Sequence, residues 1–468
     1  MRTYILALTK YGLSLVAIAY VVVAFCILFV KDKKMLFSMT YLQSLLMLAF
    51  QLISYVTLAV AMGDAGYITF CIVQLITFFS AAFLYRILYP KAYMPLLNNM
   101  CFLLSVGLII LSRLSFDRAW RQFIIVIGGL GLAILIPMFR KLFYLLKAPK
   151  YYYGLAGIVI LSIVMLLGSE TLGANITYTV FGLTFQPSEF VKILYIFFLA
   201  STLMEVHDLR DVFVVGLFAG AHVLVLIGSR DLGGGLIFYI VLFFMLYLAT
   251  GQAWMLAGGG ILVSVGAIVC YHMFDHIKQR VAAFIDPWSV IDTIGYQVTQ
   301  ALFAISAGGP FGSGLGQGTP EKIPFVETDF IFAAVAEEFG LIIGVCVILV
   351  SLNCFLNMLK LSMGFADKFY QLLAYGTGIS YIFQTFLTLG GQTKFIPLTG
   401  VTLPFVSYGG SSILSSLLLF TIVQVMYILR EEKIDEYKKQ RVRQLRVQQM
   451  TRAQYRLEDR NYDYERRY

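Results

Sequence analysis

The chain is a succession of long apolar runs, most of them about 18 to 25 residues, separated by short polar or basic breaks. A helix of that length crosses a hydrocarbon core of roughly 30 Å with its backbone groups satisfied internally, whereas a spanning barrel needs short alternating segments. Composition agrees: 59% of the 468 residues are hydrophobic and 13% are charged. Mean hydropathy is +0.82, a balance foreign to soluble globular chains. The fold class is therefore an all-α polytopic integral membrane protein. About thirteen spans can be placed. Three lie within residues 1–97, ten more run from 98–113 to 408–430 with one of them over 329–357, and a charged tail follows at 431–468. The first run is kept as a span because its apolar part is too long for a signal peptide and no small-residue cleavage site follows.

Lysine and arginine collect in cytoplasmic loops of membrane proteins, so the basic breaks set the orientation. Lys31 to Lys34, Arg86 to Lys91, Arg140 to Lys150 and the tail after Arg430 fall on one side. The C-terminus is then cytoplasmic, and the N-terminus and the polar segment 273–328 lie outside. This topology accounts for the net charge of +9 without nucleic acid, since no soluble domain is present to read a groove. The exposed tail cations Lys438, Lys439, Arg441, Arg443 and Arg446 suit an anionic lipid surface. All six cysteines fall in apolar runs without metal-ligand or thiol-exchange spacing, which reads as small buried hydrophobes.

Acids inside apolar runs are expensive and mark cavities, ion pairs or reaction pathways. Four polar clusters approach the membrane from the same outer side: QPSEFVK at Gln186 to Lys192, GSRDLGGG at Gly228 to Gly235, the segment ending in TDFIFA, and KFIPLTGVTLPFVSYGGSS at Lys394 to Ser412. A convergent polar site is expected there. Pro187 suits the first turn of a helix with Gln186 at its cap, and Glu189 and Lys192, three apart, meet on one face as a helix-orienting ion pair or as substrate contacts. Arg230 and Asp231 sit at a break whose glycines admit another backbone.

Gly308 to Gly318 is rich in glycine, but no strand precedes it and no Gly-Lys-Ser/Thr ends it, which excludes a nucleotide cradle. A flexible, substrate-enclosing outer loop is expected instead. Asp329, where this loop re-enters the membrane, is either a helix cap or a partly desolvated carboxylate fit to take a proton from a hydroxyl. On a continuous helix Glu337 and Glu338 lie about 12 Å deeper, beyond the roughly 5–9.5 Å of paired glycosidase carboxylates. A single base at the rim follows, with an inner acid paired to a cation.

Read together, LTFQPSEFVK, RDLGGG, FIDPWSVIDTIGYQVTQ, GGPFGSGLGQG, TDFIFAAVAEEFG and PLTGVTLPFVSYGGSS resemble the SEDS family, the glycosyltransferases of bacterial shape, elongation, division and sporulation, over roughly residues 98–430. The resemblance implies a ten-span core with the large loop 273–328 outside, so that residues 1–97 are additional spans. It implies an enzyme that polymerises lipid II, the undecaprenyl-linked disaccharide-pentapeptide, into peptidoglycan on the outer face of the cytoplasmic membrane, in elongation, division or sporulation. Asp329 matches the essential aspartate. Candidate substrate contacts on the matching motifs and outer segments are Glu189, Lys192, Asp231, Arg280, Gln297, Gln300, Lys322, Lys394, Ser407 and Ser411. A class B penicillin-binding transpeptidase is the implied partner.

The leaving pyrophosphate needs compensation, from a divalent cation such as Mg or Mn or from Arg280, Lys322 or Lys394; no organic cofactor is expected. The runner-up activity is a flippase or transporter of the lipid-linked precursor. This chain departs from the family pattern at Ser229-Arg230, at Gly173 to Thr177 with Ile176-Thr177 in place of Arg-Trp, at Thr388 where Asn is frequent, and at Lys394 where glycine is common.

Overall fold

Three helices, α1 (Arg2–Ile27), α2 (Lys33–Met62) and α3 (Gly66–Leu88), precede α4 (Met94–Leu114) and α5 (Phe116–Leu135) in the computed structural model. It describes residues 2–171, 174–180 and 183–465, with side chains over 8–168, 177–178 and 185–453. Pro137 opens a 3-10 segment, Ile136–Lys147, that leads to α6 (Lys150–Leu167). After a small sheet come α7 (Pro187–Leu203), α8 (Leu209–Gly228), α9 (Leu232–Thr250) and α10 (Ala253–Met273). The segment between α10 and the next span carries α11 (Asp275–Ile285), α12 (Tyr296–Gly308) and the short α13 (Ile331–Glu338). The chain ends with α14 (Leu341–Met363), α15 (Lys368–Gln392) and the 56-residue α16 (Gly410–Glu465). Among the described residues 12 helices are long and apolar enough to cross a membrane, and α7, with 17 residues, is packed among them. The protein is a multi-pass membrane protein.

The small sheet was not anticipated. Strands β1 (Ser169–Thr171), β2 (Ala174–Val180) and β3 (Leu183–Phe185) pair antiparallel in the order β1-β2-β3, with Tyr178 opposite Phe185. The β-branched and aromatic content of ANITYTV suits a strand, and seven residues are too few to cross a membrane. Gly173, the first residue of the departure at Gly173 to Thr177, lies outside the described residues.

Helix α4 is the hub: 94% of its most apolar stretch is buried, against 11% for α10, which packs mainly on α9 and α11. Helices α1 to α3 cover α4, α5 and α14. Apolar side chains gain little by leaving lipid for a neighbouring helix, so close packing and interhelical hydrogen bonds must set this arrangement. Tyr20 Oη and Gln43 Nε2 both donate to Asn99 Oδ1, at 3.0 and 2.7 Å. Asn99 Nδ2 in turn donates to Asn353 Oδ1 at 2.8 Å, and Asn353 Nδ2 to the Ala24 carbonyl at 3.0 Å. One amide cluster thus joins α1, α2, α4 and α14. A second, in which Gln51 donates to Gln74 and Gln74 to Tyr55, closes α2 on α3.

The apolar run read as one span over 329–357 is broken. Gly340, at φ +91°, separates α13 from α14, and the membrane helix begins at Leu341. A side chain at Gly340 would meet the Gly312 amide at 2.3 Å, because the glycine-rich segment lies against the break. Leu341 and Ile342 donate to the carbonyls of Gly309 and Pro310, at 2.9 and 3.1 Å. Ser313 and Gly314 donate to the carbonyls of Glu337 and Glu338, at 2.8 and 3.1 Å. The expectation of a flexible loop at Gly308 to Gly318 is corrected here: several of its backbone amides are bound, one of them by a carboxylate, and a second carboxylate binds the Thr319 amide just beyond it. Gly316 donates to Glu338 Oε2 at 3.0 Å and Thr319 to Glu337 Oε1 at 2.7 Å. The cation for the inner acid is Arg113, at the end of α4, whose Nε lies 2.9 Å from Glu338 Oε1.

The Glu338 side chain is fully buried, so removing its partner leaves an uncompensated charge. Arg113→Ala is expected to cost about 3–5 kcal/mol in an unfolding titration in detergent, with most of that loss recovered in the double variant Arg113→Met/Glu338→Gln. Asn99→Ala, which orphans donors on α1 and α2 and an acceptor on α14, is expected to cost about 1–3 kcal/mol, whereas Ile261→Ala on the exposed face of α10 leaves the midpoint in place.

Candidate active site

The entry into α7 is built as expected, with Gln186 extended at the N-cap and Pro187 in the first turn. The Gln186 amide donates to Ser411 Oγ at 2.9 Å, which ties the start of α7 to the start of α16. Lys192 Nζ meets Glu189 Oε2 at 2.8 Å and donates to Gln384 of α15 at 2.7 Å, while Ser415 of α16 donates to the same Glu189 oxygen at 2.8 Å. This buried pair locks three helices and still borders the cavity described below.

Asp231 caps α9, accepting the Gly234 amide at 2.8 Å. Gly233 gives the expected close backbone approach: a side chain there would meet the Thr399 carbonyl at 2.8 Å and Val401 at 2.4 Å. Arg230, just before the cap, has φ +62°.

Asp329 lies in a tight turn whose Thr328 and Asp329 amides both donate to the Phe325 carbonyl at 3.1 Å. It does not cap α13. The N-cap position is Phe330, without a side-chain bond; the Phe332 amide donates to Gln392 Oε1 at 2.9 Å, and the Ala333 amide is shared between Gln392 Oε1 at 3.3 Å and the Phe330 carbonyl at 3.0 Å. The SYGG segment holds the turn from the other side: Ser407 Oγ donates to the Thr328 carbonyl at 2.6 Å and the Tyr408 amide to the Glu327 carbonyl at 2.7 Å. Burial pushes the Asp329 carboxyl above the usual carboxylate range, while the Arg280 guanidinium of α11 and a hydrogen bond from Thr328 hold it back. Arg280 also faces Asp231 and packs on Gly400.

These pieces surround one cavity of about 920 Å³. It draws walls from all four polar clusters, with Glu189 and Lys192 from the first, Arg230 and Asp231 from the second, Asp329 from the third, and Lys394 and Ser411 from the fourth. Arg280 and Gln297 complete it from α11 and α12. Gln300, Lys322 and Ser407 are not in the wall. Lys322 is exposed on a 3-10 turn, Gln300 lies further along α12, and the Ser407 hydroxyl is committed to Thr328 and to the Leu403 amide. His276, Arg121 and Thr399 line the cavity and were missed, as was the supporting Gln392; each looks unexceptional in sequence. Among the described residues no three His, Cys, Asp or Glu side chains gather to hold a metal ion.

The bundle end opposite to these clusters carries the basic loops. There Lys91 meets Asp435 at 2.6 Å and Arg140 meets Glu432 at 2.9 Å, and Lys147–Asp367 and Lys150–Glu205 are further pairs.

Known proteins are similar to this chain in sequence and fold. The profile of the cell cycle protein family that groups FtsW, RodA and SpoVE matches residues 94–433. The peptidoglycan glycosyltransferase RodA of Mycobacterium bovis is 34% identical over 367 residues, covering 70% of this chain and 76% of that protein. RodA of Mycobacterium leprae is 33% identical over 356 residues, with the same coverage of 70% and 76%. Among solved structures, a chain from work on the coordination of polymerization and crosslinking by a peptidoglycan synthase complex has a TM-score of 0.64 at 25% identity, covering 72% of this chain and 98% of that one. The fold of Thermus thermophilus RodA is also similar, with a TM-score of 0.56 at 23% identity and coverage of 72% and 97%. On the family profile and these identities, the chain belongs to the FtsW/RodA/SpoVE family, the SEDS proteins.

Proposed function

We propose that the chain is a peptidoglycan glycosyltransferase that polymerises lipid II into glycan strands at the outer face of the bacterial cytoplasmic membrane. The observation that carries this reading is Asp329, a buried carboxylate facing Arg280 on a cavity large enough for sugar groups, in a chain of this family. The 4-hydroxyl of the acceptor disaccharide attacks the anomeric carbon of the growing chain, with inversion. Its proton passes to Asp329, the new glycosidic C–O bond forms as the bond to phosphate breaks, and undecaprenyl pyrophosphate leaves with the electron pair. Raised by burial, the carboxylate is a stronger base than an exposed one, and the facing Arg280 guanidinium offsets part of that rise.

Developing phosphate charge is assigned to Arg280, which lines the cavity and faces Asp329. Gln297 and Ser411 present neutral hydrogen-bonding groups to the sugars and peptide. The polar wall comes from loops at one end of the bundle and the ion-paired basic loops occupy the other, which supports chemistry at one face over transport through the protein, and a cytoplasmic C-terminus. A class B penicillin-binding transpeptidase is the proposed partner, supported by the similarity to a synthase complex that joins polymerization to crosslinking. Co-purification from solubilised membranes, with the transpeptidase identified by mass spectrometry, tests the pairing.

Purified protein supplied with lipid II tests the activity. Asp329→Asn is expected to lower polymerisation by about 10²–10⁴-fold without a change in thermal midpoint; full activity in that variant overturns the base assignment. The pH profile supplies a second check. Since the ionised carboxylate is the active form, the rate falls as pH drops through its pKa. Arg280→Gln removes the charge that holds that pKa down, so the acid limb is expected to move to higher pH than in the parent.

A further inference from the structure

The corner between α4 and α5 touches the segment that carries Asp329 at both of its ends. Ser115, in an extended conformation, stands alone between the two helices; its amide donates to the Leu111 carbonyl at 2.7 Å and its carbonyl accepts the Ala119 amide at 3.0 Å. Helix α3 packs aromatic rings on this corner, with Tyr67 against Phe116 and Phe70 against Trp120 at centroid separations of 5.2 and 4.8 Å. Two cations are thereby held in a fixed relation. Arg113 reaches Glu338 at the end of α13, and Arg118 reaches Glu327, just before Asp329, at 2.6 Å.

One turn beyond Arg118, Gln122 is 1% exposed and commits both ends of its side-chain amide to the SYGG segment. Its Nε2 donates to the Ser407 carbonyl at 3.2 Å and its Oε1 accepts the Gly409 amide at 3.0 Å, so the two bonds bracket Tyr408. Ser407 and Tyr408 are the residues that donate to the carbonyls of Thr328 and Glu327, the two positions directly before Asp329. Gln122 is thus linked to the peptide groups beside the carboxylate by hydrogen bonds through one short segment, and Arg118 by a single ion pair. Arg118, Gln122 and Glu327 do not line the cavity, so they have no place in holding substrate there. Arg118 is also half-exposed, and an ion pair of that kind adds little to stability. Its contribution lies in where it holds Glu327. A general base must lie within hydrogen-bond reach of its hydroxyl, and a displacement of about 1 Å can cost about 10²-fold in rate.

We propose that Gln122 and Arg118 are positioning residues for Asp329, Gln122 by fixing the SYGG segment against the turn and Arg118 by fixing Glu327, so that the α4–α5 corner sets where the carboxylate meets the acceptor hydroxyl. The inference rests on the glycosyltransferase reading and deepens it.

Purified parent protein and the variants Gln122→Met, Arg118→Gln and Arg118→Lys, with the double variant Arg118→Glu/Glu327→Arg, are compared in two measurements. Titration with lipid II counts binding-competent sites, and polymerisation kinetics are expressed per counted site. Gln122→Met keeps the side-chain length and removes both hydrogen bonds; it is expected to lower kcat about 10–100-fold, with KM and the dissociation constant within about threefold of the parent. Arg118→Gln is expected to lower kcat about tenfold in the same pattern, and Arg118→Lys and the charge-reversed pair to restore it to within about threefold. A merely structural role gives fewer sites, each with the parent's rate, and no difference between Arg118→Lys and Arg118→Gln. That pattern overturns the proposal, as does a raised dissociation constant at unchanged kcat. Should Gln122→Met yield no binding-competent sites, the Arg118 series decides. A parent protein that binds lipid II without polymerising it overturns the glycosyltransferase reading instead. Hydrogen–deuterium exchange over residues 325–331 then decides the positioning: faster exchange than the parent in Gln122→Met and Arg118→Gln, with α14 unaltered, supports it, and parent-like exchange overturns it.

Discussion

Gln392 accepts the Phe332 and Ala333 amides in the first turn of α13 at one end, and the glycine-rich segment with Arg113 grips Glu337 and Glu338 at the other. An eight-residue helix has too few internal hydrogen bonds to be stable alone, so these outside partners determine where it lies. Asp329 sits two residues before its first turn. A general base must be held close to one hydroxyl to be effective. Holding it requires that α13 be fixed from α15, from α4 and from the segment at 309–319, and that the turn be fixed by Ser407 and Tyr408. The carboxylates at Glu337 and Glu338, committed to the Thr319 and Gly316 amides and to Arg113, therefore serve the site by anchoring the helix on which it depends.

Much of this was legible in sequence because it is local. Apolar run length identified the membrane helices, and the three-residue spacing of Glu189 and Lys192 produced the ion pair it suggests. The convergence of four polar clusters followed from topology alone, since alternate loops of a helical bundle share an end. What escaped depends on partners far apart in the chain. Arg113 lies 225 residues from Glu338, and nothing local distinguishes it from a cation that ends a span. Gln392 is 60 residues from the amide it accepts and reads as a polar residue at a helix end. The break at Gly340 was hidden because the flanking residues are as apolar as a membrane span, though they are buried against protein. Glycine content suggested flexibility at 308–318, but here the glycines allow backbones to touch, as at Gly312, where a side chain would meet the Glu338 carbonyl at 2.2 Å.

The departures from the family pattern acquire a spatial meaning. Thr388, where asparagine is frequent, donates to the Gln384 or Val401 carbonyl, each at 2.9 Å, and so can tie α15 to the loop that forms the cavity wall. Arg230 and Lys394 sit 164 positions apart in sequence yet both border the cavity, each in a backbone conformation that disfavours its side chain.

Helices α1 to α3 lie before the family match at 94–433, yet they are built into the frame of the site. They cover α4 and α14, the two helices that bracket α13 through Arg113 and through the junction at Gly340. Lipid would satisfy an apolar surface on α4 or α14 as well as another helix does, but it would not satisfy Asn99 or Asn353. Those two amides find their partners on α1 and α2, in Tyr20, Gln43 and the Ala24 carbonyl. The polar residues that attach the N-terminal helices are thus embedded in the same helices that hold the catalytic segment. Removing the three helices would expose amides to hydrocarbon on both α4 and α14, so in this chain the added helices and the catalytic core form one structural unit.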